Sequence, residues 1–496
     1  MNPQDSARLQ ALESRMLAYR HAMDALYVDG ATVAPKNAAR GRSRTLGTLA
    51  ALYHELLTAA ETRDLLAELA GETADPVFAR RVELIREESD ELVRIPRQDY
   101  ETYRALLAEA EAVWHEAKPA SDWQAFAPCL EKVVAWQRRL AALKDPDRPA
   151  YDVLLDGREK GVDMAMLDPF FRLLREKLTP LILAVGEKPA PADDFLHGGY
   201  SAADQRVFSD RLMALLGLNR DDCAIGETEH PFTNGFNKHD VRITTHYHEE
   251  DVSASMFSVL HESGHAIYEL GVADEFQGTV LAHGASAGLH ESQSRFYENL
   301  IGRSLPFCGA LLPLMRECFP GHLDAVTPEM LYRAVNRVRP SLIRTEADEL
   351  TYPIHVMIRY ELEKAMIGGE LSVADVPGEW ERLYRTCLGV RVPDHRRGVL
   401  QDSHWSSGLI GYFPGYALGS AYGAQMLAEM EKTVPVQRCA AQGDLRPVTA
   451  WLGERVHRHG RSLTPAQVLQ NALGGDFDPR FYVDYLTRKY SALYGL

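Results

Sequence analysis

The chain has 496 residues, 46% hydrophobic and 25% charged, enough for a large buried core or for two to three domains. Lys and Arg number 54 against 70 Asp and Glu, a formal charge of −16, which argues against a nucleic-acid partner and leaves peptides open. No run approaches the ~20 apolar residues of a membrane span, and the polar start MNPQDSARLQ lacks a secretory pattern, so no membrane association and a cytoplasmic location are expected.

Helical periodicity predicts helices over 5–27, 40–72, 75–117, 121–144 and 164–186. The last is expected to become regular at Pro169, with Asp168 as its N-cap, and to kink or end at Pro180. Residues 187–199 hold Pro189, Pro191 and a Gly pair and read as a surface loop. That loop suggests a division into an N-terminal helical lobe, 1–190, and a catalytic lobe, 191–496, of one integrated unit. In Asp240–Tyr247, Val241, Ile243, Thr245 and Tyr247 alternate with polar residues, a strand signal. It follows the turn-rich HPFTNGFNKH, so a β-hairpin or small antiparallel sheet is expected there. From Ser253 helical blocks return over 253–271, 284–303, 308–318, 328–367, 376–387 and 416–433. The fold class is mainly α. The scattered cysteines Cys129, Cys223, Cys308, Cys318, Cys387 and Cys439 form no CxxC pair and read as free thiols of a reducing compartment.

His261-Glu262-Ser263-Gly264-His265 is an HExxH motif. Phe257, Leu260, His261, Gly264, His265 and Tyr268 share one helical face, so both imidazoles leave on the same side, one turn apart, where they can share one zinc ion. Glu262 is placed to polarise a zinc-bound water and shuttle its proton. Gly264 would suit close backbone packing. Glu291, 26 residues after His265 on the next expected helix, completes a His, His, Glu set of the open, catalytic kind. Co²⁺ or Mn²⁺ could occupy the same ligands.

These residues lie within an ordered set: HPF at 230–232, DVRIT at 240–244, HESGH at 261–265, HESQ at 290–293, IRTEAD at 343–348, GVLQDSHW at 398–405 and GYFPGY at 411–416. In this the chain resembles the metallocarboxypeptidases typified by carboxypeptidase Taq. Where a Trp-Asp pair is expected in relatives, this chain has Tyr27-Val28-Asp29. The resemblance implies a helical two-lobed peptidase fold with a long substrate groove, walled by the N-terminal lobe and with zinc at its floor. It implies homodimers, and release of single C-terminal residues from peptides with broad specificity. The family's zinc ligands map onto His261, His265 and Glu291, and its base onto Glu262.

An exopeptidase must read a free carboxylate, which the planar fork of Arg does best. Arg344 in IRTEAD is the first choice, against the plainer reading of a helical ion pair with Glu346 or Asp348. Arg242 on the strand is second, with Asp240 as a residue that can hold it in place. For donors to the developing oxyanion, worth ~3–4 kcal/mol of barrier, His404 and Tyr416 are chosen because both are expected in Gly-bounded loops, with Tyr412 a weaker third. His230, His246 and His248 cluster near the strand and read as surface or supporting residues. Two other readings compete: an endo-acting zinc oligopeptidase with the same metal site, and a metal-stabilised scaffold that has lost catalysis. Retention of Glu262 counts against the scaffold.

Overall fold

The computed structural model describes residues 3–71 and 75–496, residue 97 by its backbone alone. Among them are twenty α-helices and three short strands. The helical periodicities are realised, with boundaries set by local chemistry. The first helix is Pro3–Thr32. The 40–72 block is two helices, Ala39–Thr58 and Ala60–Leu69, divided where Ala59 turns extended. The 75–117 block divides into Pro76–Arg94 and Arg97–Ala120, on either side of Pro96. Asp122 caps Trp123–Lys144 by accepting from the Ala125 N–H.

The helix expected to start at Pro169 starts instead at Met164, capped by Asp163, whose carboxylate accepts from the Met166 N–H at 2.9 Å. Asp168 is no cap; it accepts from Tyr360 Oη and Lys364 Nζ, both at 2.6 Å. Pro180 lies inside this helix, which runs on to Gly186. Leu178, Ile182 and Val185 are buried on either side of it, and their packing outweighs the missing backbone bond.

The expected hairpin is present. Strand β2 (Thr233–Asn237) pairs antiparallel with β3 (Asp240–Thr245) across Lys238-His239. A further strand, β1 (Cys223–Glu227), lies parallel to β3 on its other side, so the sheet is mixed, in the order β1-β3-β2. Val241 and Ile243 of β3 are fully buried, as their alternation requires.

The 328–367 block is interrupted. Helices Pro328–Val335 and Tyr352–Gly368 flank an irregular stretch in which Arg344–Glu346 forms one 3₁₀ turn. Pro340 and the residue before it disfavour helix there. Tyr352–Gly368 is buried on nearly every side, and it carries Arg359 and Glu363 with no exposed surface. Polar groups so placed need partners.

The chain forms two compact units. One comprises 1–93, 193–335 and 426–477, the other 94–192, 336–425 and 478–496. Of the five crossings, the one at 192/193 falls beside the boundary expected at 190. The sheet and the HExxH helix belong to the first unit.

Candidate active site

The HExxH motif lies on helix Val252–Leu270, capped by Asp251. Gly264 faces the backbone of the next helix, Ala287–Arg295: a Cβ there would stand 2.5 Å from Gln293 O and 2.7 Å from Ser294 Cα. The expected close approach is therefore real, and it brings Glu291 up to the two motif histidines. Glu291 Oε2 is 3.7 Å from His261 Nε2 and 3.8 Å from His265 Nε2. All three ligand atoms lie within 4.8 Å of one another, and this is the one such group among the described residues. Tetrahedral zinc with bonds of about 2.0–2.2 Å has donor-to-donor edges of roughly 3.3–3.6 Å, and the two Glu291 separations lie within tenths of an ångström of these. Two imidazoles and a carboxylate, without thiolate, are the donors of an open site.

The outer atoms of these side chains are all engaged, which aims the inner ones. His261 Nδ1 pairs with Glu298 Oε2 at 2.9 Å. His265 Nδ1 lies 3.2 Å from His290 Nδ1. Glu291 Oε1 accepts from Arg295 Nε at 2.7 Å. Arg295 also reaches Glu298, at 3.1 Å. Glu298 follows on a π-helical turn, Phe296–Gly302, that continues the second helix. Burial opposes ionisation of Glu298, yet Arg295 and His261 hold its pKa well below the carboxylate range. Burial likewise opposes a charge on His261, but Glu291 and Glu298 outweigh it and raise its pKa. His265 is driven the other way, by burial and by neighbouring His261 and His290.

Glu262 is buried beside the set, and burial raises its pKa. Its Oε2 accepts from Thr233 Oγ1 of β2 at 2.6 Å, and the same hydroxyl reaches the Glu262 carbonyl at 3.1 Å. Oε1 takes no hydrogen bond from the described residues.

A second cluster forms in the other unit. Arg344 directs Nε and Nη2 at Asp402 Oδ1, at 3.0 and 2.9 Å, and Nη1 at Tyr352 Oη, at 3.0 Å. Asp402 Oδ2 accepts from Arg359 Nε at 2.7 Å. The Tyr416 ring lies 5.0 Å from the Arg344 guanidinium, and its hydroxyl is 3.3 Å from His404 Nε2. Tyr412 packs on both, at ring distances of 5.4 Å to Tyr416 and 5.7 Å to His404. Burial, helped by Arg344 and Arg359 against Asp402, pushes the His404 pKa down to about 4. His355 is lowered as well, by burial and the same two guanidiniums. With both histidines neutral, two guanidiniums face one carboxylate, and this buried group carries one surplus positive charge.

The profile described as carboxypeptidase Taq (M32) metallopeptidase matches residues 8–490. The chain belongs to this family. It is 37% identical to carboxypeptidase 1 of Bacillus subtilis over 97% of both chains, and 38% identical to thermostable carboxypeptidase 1 of Thermus thermophilus, again over 97% of both. The crystal structure of the M32 carboxypeptidase of Deinococcus radiodurans superposes with a TM-score of 0.97 at 37% identity, over 99% of this chain and all of that one. The chain is thus a metallocarboxypeptidase, a hydrolase of peptides.

Among the residues singled out in the sequence of this M32 carboxypeptidase, His261, Glu262, His265 and Glu291 come together, and Arg344, His404, Tyr412 and Tyr416 come together. Arg344 pairs with Asp402, not with Glu346 or Asp348, because its segment is a single 3₁₀ turn and not an α-helix. Tyr416 lies in the first turn of helix Pro414–Met430, not in a loop. Arg242 is held by Asp240 in two parallel bonds of 2.8 and 2.7 Å and lies over Phe236. His246 and His248 sit 4.4 Å apart by their rings and His230 is exposed, outside any metal-binding group among the described residues. Sequence reading missed Arg295, Glu298, Glu269, His290, Thr233, Asp402 and Arg359 as partners of the chosen residues. A signal existed for Arg295 and Glu298, at four and seven residues from Glu291 on one helical face. None existed for Asp402, 58 residues from Arg344.

Proposed function

We propose that this chain is a zinc-dependent carboxypeptidase that releases single C-terminal residues with broad specificity, by attack of a water activated by Glu262. The observation that carries this reading is the convergence of three lone pairs, on His261, His265 and Glu291, beside a carboxylate with one oxygen still open. When bound, the ion supplies Lewis-acid polarisation of the scissile carbonyl and acidifies water. His261, His265 and Glu291 would hold it. Co²⁺ or Mn²⁺ would suit the same donors. Glu262 takes the proton of the attacking water at Oε1 and returns it to the leaving amine, while Thr233 keeps Oε2 in place. Its burial-raised pKa suits a group that both accepts and gives back a proton.

Arg344 is assigned to the substrate's terminal carboxylate. Three of its five N–H groups are engaged by Asp402 and Tyr352, which leaves one on each terminal nitrogen, the pair that matches two carboxylate oxygens. The surplus charge of the cluster favours an anion at that place. Recognition of a group common to every C-terminal residue supports broad specificity. Tyr416, with neutral His404 behind it, is assigned to the developing oxyanion, and Tyr412 to the substrate's flank. Arg242 is second choice for the carboxylate. All six cysteines are free and buried, in keeping with a reducing, cytoplasmic compartment. We also infer a homodimer, which analytical ultracentrifugation tests.

The test is mass spectrometry of one peptide, free and C-terminally amidated, with zinc and after chelation. Sequential loss from the free C-terminus, abolished by amidation or chelation, is expected. Internal cleavage of the amidated peptide would overturn the reading in favour of an endo-acting oligopeptidase.

A further inference from the structure

The two motif histidines are chemically alike, but their supports differ. His261 Nδ1 meets a carboxylate directly, Glu298 at 2.9 Å. His265 Nδ1 meets another imidazole, His290, at 3.2 Å, and the far nitrogen of that ring, Nε2, lies 2.7 Å from Glu269 Oε1. Glu269 is four residues after His265, one turn along the same helix.

Hydrogen-bond direction through this chain follows once His265 faces a metal through Nε2. Glu269 receives three donors: His290 Nε2 and the Gly284 N–H at Oε1, and His283 Nδ1 at Oε2, at 2.7, 2.9 and 2.8 Å. An ionised carboxylate only accepts, so the His290 proton sits on Nε2. A His265 that offers its Nε2 lone pair to a metal carries its proton on Nδ1, and across 3.2 Å His290 Nδ1 accepts it. His265 Nε2, the atom facing Glu291, is left with its lone pair.

The backbone is shaped to seat these rings. A Cβ at Gly284 would stand 2.4 Å from His290 Nε2, and one at Gly235 of β2 would stand 2.7 Å from a Glu269 oxygen. Tyr268 packs its ring 4.7 Å from that of His290. Any side chain at either glycine would displace the relay.

We propose that His290 and Glu269 are positioning residues: a hydrogen-bonded relay, Glu269 to His290 to His265, that fixes the His265 tautomer and ring orientation for metal binding. This rests on the reading of His265 as a ligand. Supports of this kind are typically worth about 10- to 100-fold in metal affinity.

The experiment measures zinc affinity of the full chain by competition with a chromophoric chelator, with thermal unfolding as the control for folding. His290→Phe keeps the ring and removes both nitrogens; zinc binding should weaken by about 10- to 100-fold. His290→Asn restores an acceptor near the place of Nδ1 and should recover most of the loss, which a merely space-filling role would not produce. Wild-type affinity in a folded His290→Phe protein would overturn the proposal, as would an Asn variant no better than Phe. If His290→Phe folds poorly, His290→Ala replaces it. Water then serves Nδ1, a smaller loss is expected, and wild-type affinity is again the overturning result. His265→Ala separates the two readings. Unchanged zinc affinity in that variant removes the ligand assignment and the relay together, whereas a loss there with none at His290 removes the relay alone.

Discussion

The HExxH cluster and the Arg344 cluster are built from different backbone and left open in opposite ways. In the first, four side chains come from two regular helices pressed together at Gly264, and each outer atom has a charged or polar partner. What remains there is lone pairs: two imidazole nitrogens and one carboxylate oxygen. In the second, Arg344 comes from an irregular stretch, Arg359 from the middle of a buried helix, and Asp402 and His404 from a loop. What remains there is N–H donors and one unit of positive charge. One cluster presents lone pairs that suit a cation, and the other N–H donors and surplus positive charge that suit an anion. A buried charge imbalance is costly unless something completes it, so its presence points to a ligand more directly than the identity of any single residue.

The largest effect is expected at the first cluster. Glu262→Gln preserves shape and the Thr233 contact but removes the base. Activity should fall by ~10²–10⁴-fold, the scale of general acid–base catalysis, with zinc content unchanged by atomic absorption. Near-normal turnover with full metal would remove Glu262 from the chemistry.

The comparison is sharpened at the second cluster by Arg344→Ala. The variant leaves one guanidinium, Arg359, against Asp402, so the buried charge becomes balanced and the fold should persist. The loss in kcat/KM should be about 1.5–3 kcal/mol, the scale of hydrogen bonds to charged groups. It should be confined to peptides with a free C-terminus, with Lys rescuing only in part. Equal losses on free and amidated peptides would make Arg344 structural and shift the assignment to Arg242.

The same contrast governs what the sequence could reveal. The HExxH helix and the β2–β3 hairpin were legible because a period of 3.6 or 2 is a local property, and because two histidines four apart must share a face. Gly264 was legible for a similar reason, since a glycine inside a strongly patterned helix asks for close packing. Arg344 could be chosen for its chemistry but not placed. Its segment carries helix-compatible residues, and Pro340 is the one local sign that the helix breaks. Asp402 and Arg359 were out of reach because their pairing depends on a buried helix meeting a distant loop. Pro180 misled in the opposite direction: burial of Leu178, Ile182 and Val185 overrides a breaker that local rules would obey.

A third expectation compares two glycines in helices. Gly264→Ala drives a methyl into backbone that cannot move as a side chain would. It should cost about 1–3 kcal/mol by overpacking, read as a lower urea midpoint, and should loosen zinc as Glu291 is pushed back. Gly415→Ala, in the first turn of Pro414–Met430 where nothing lies within 4 Å, should be neutral or stabilising by up to about 1 kcal/mol. A harmless Gly264→Ala would mean that the two helices are not held at fixed separation.

The last expectation is a pH signature that separates two buried carboxylates of the second unit. Asp402 is opposed by burial but held well below the carboxylate range by Arg359 and Arg344, so its contribution to stability is present above that range and lost as pH falls. Glu363 has no ion-pair partner among the described residues, and Arg158 favours its charge only weakly. It accepts from Trp405 Nε1 at 2.8 Å, the Gly411 N–H at 2.8 Å and Tyr151 Oη at 3.0 Å, yet burial outweighs these donors and raises its pKa to about 7. The folded state therefore binds the Glu363 proton more tightly than the unfolded chain does. Between the ordinary carboxyl range and pH 7 the unfolded state holds fewer protons at this group, so stability falls as pH rises through that window. Glu363→Gln does not titrate and removes the slope. The stability of wild type minus that of Glu363→Gln, from urea unfolding, should decline by on the order of 1–2 kcal/mol between pH 5 and pH 7. A difference that grows over the same interval would mean that the three donors prevail over burial. Glu363 would then be ionised in the fold, anchoring the Trp405–Gly411 loop as a charge, as Asp402 anchors Arg344.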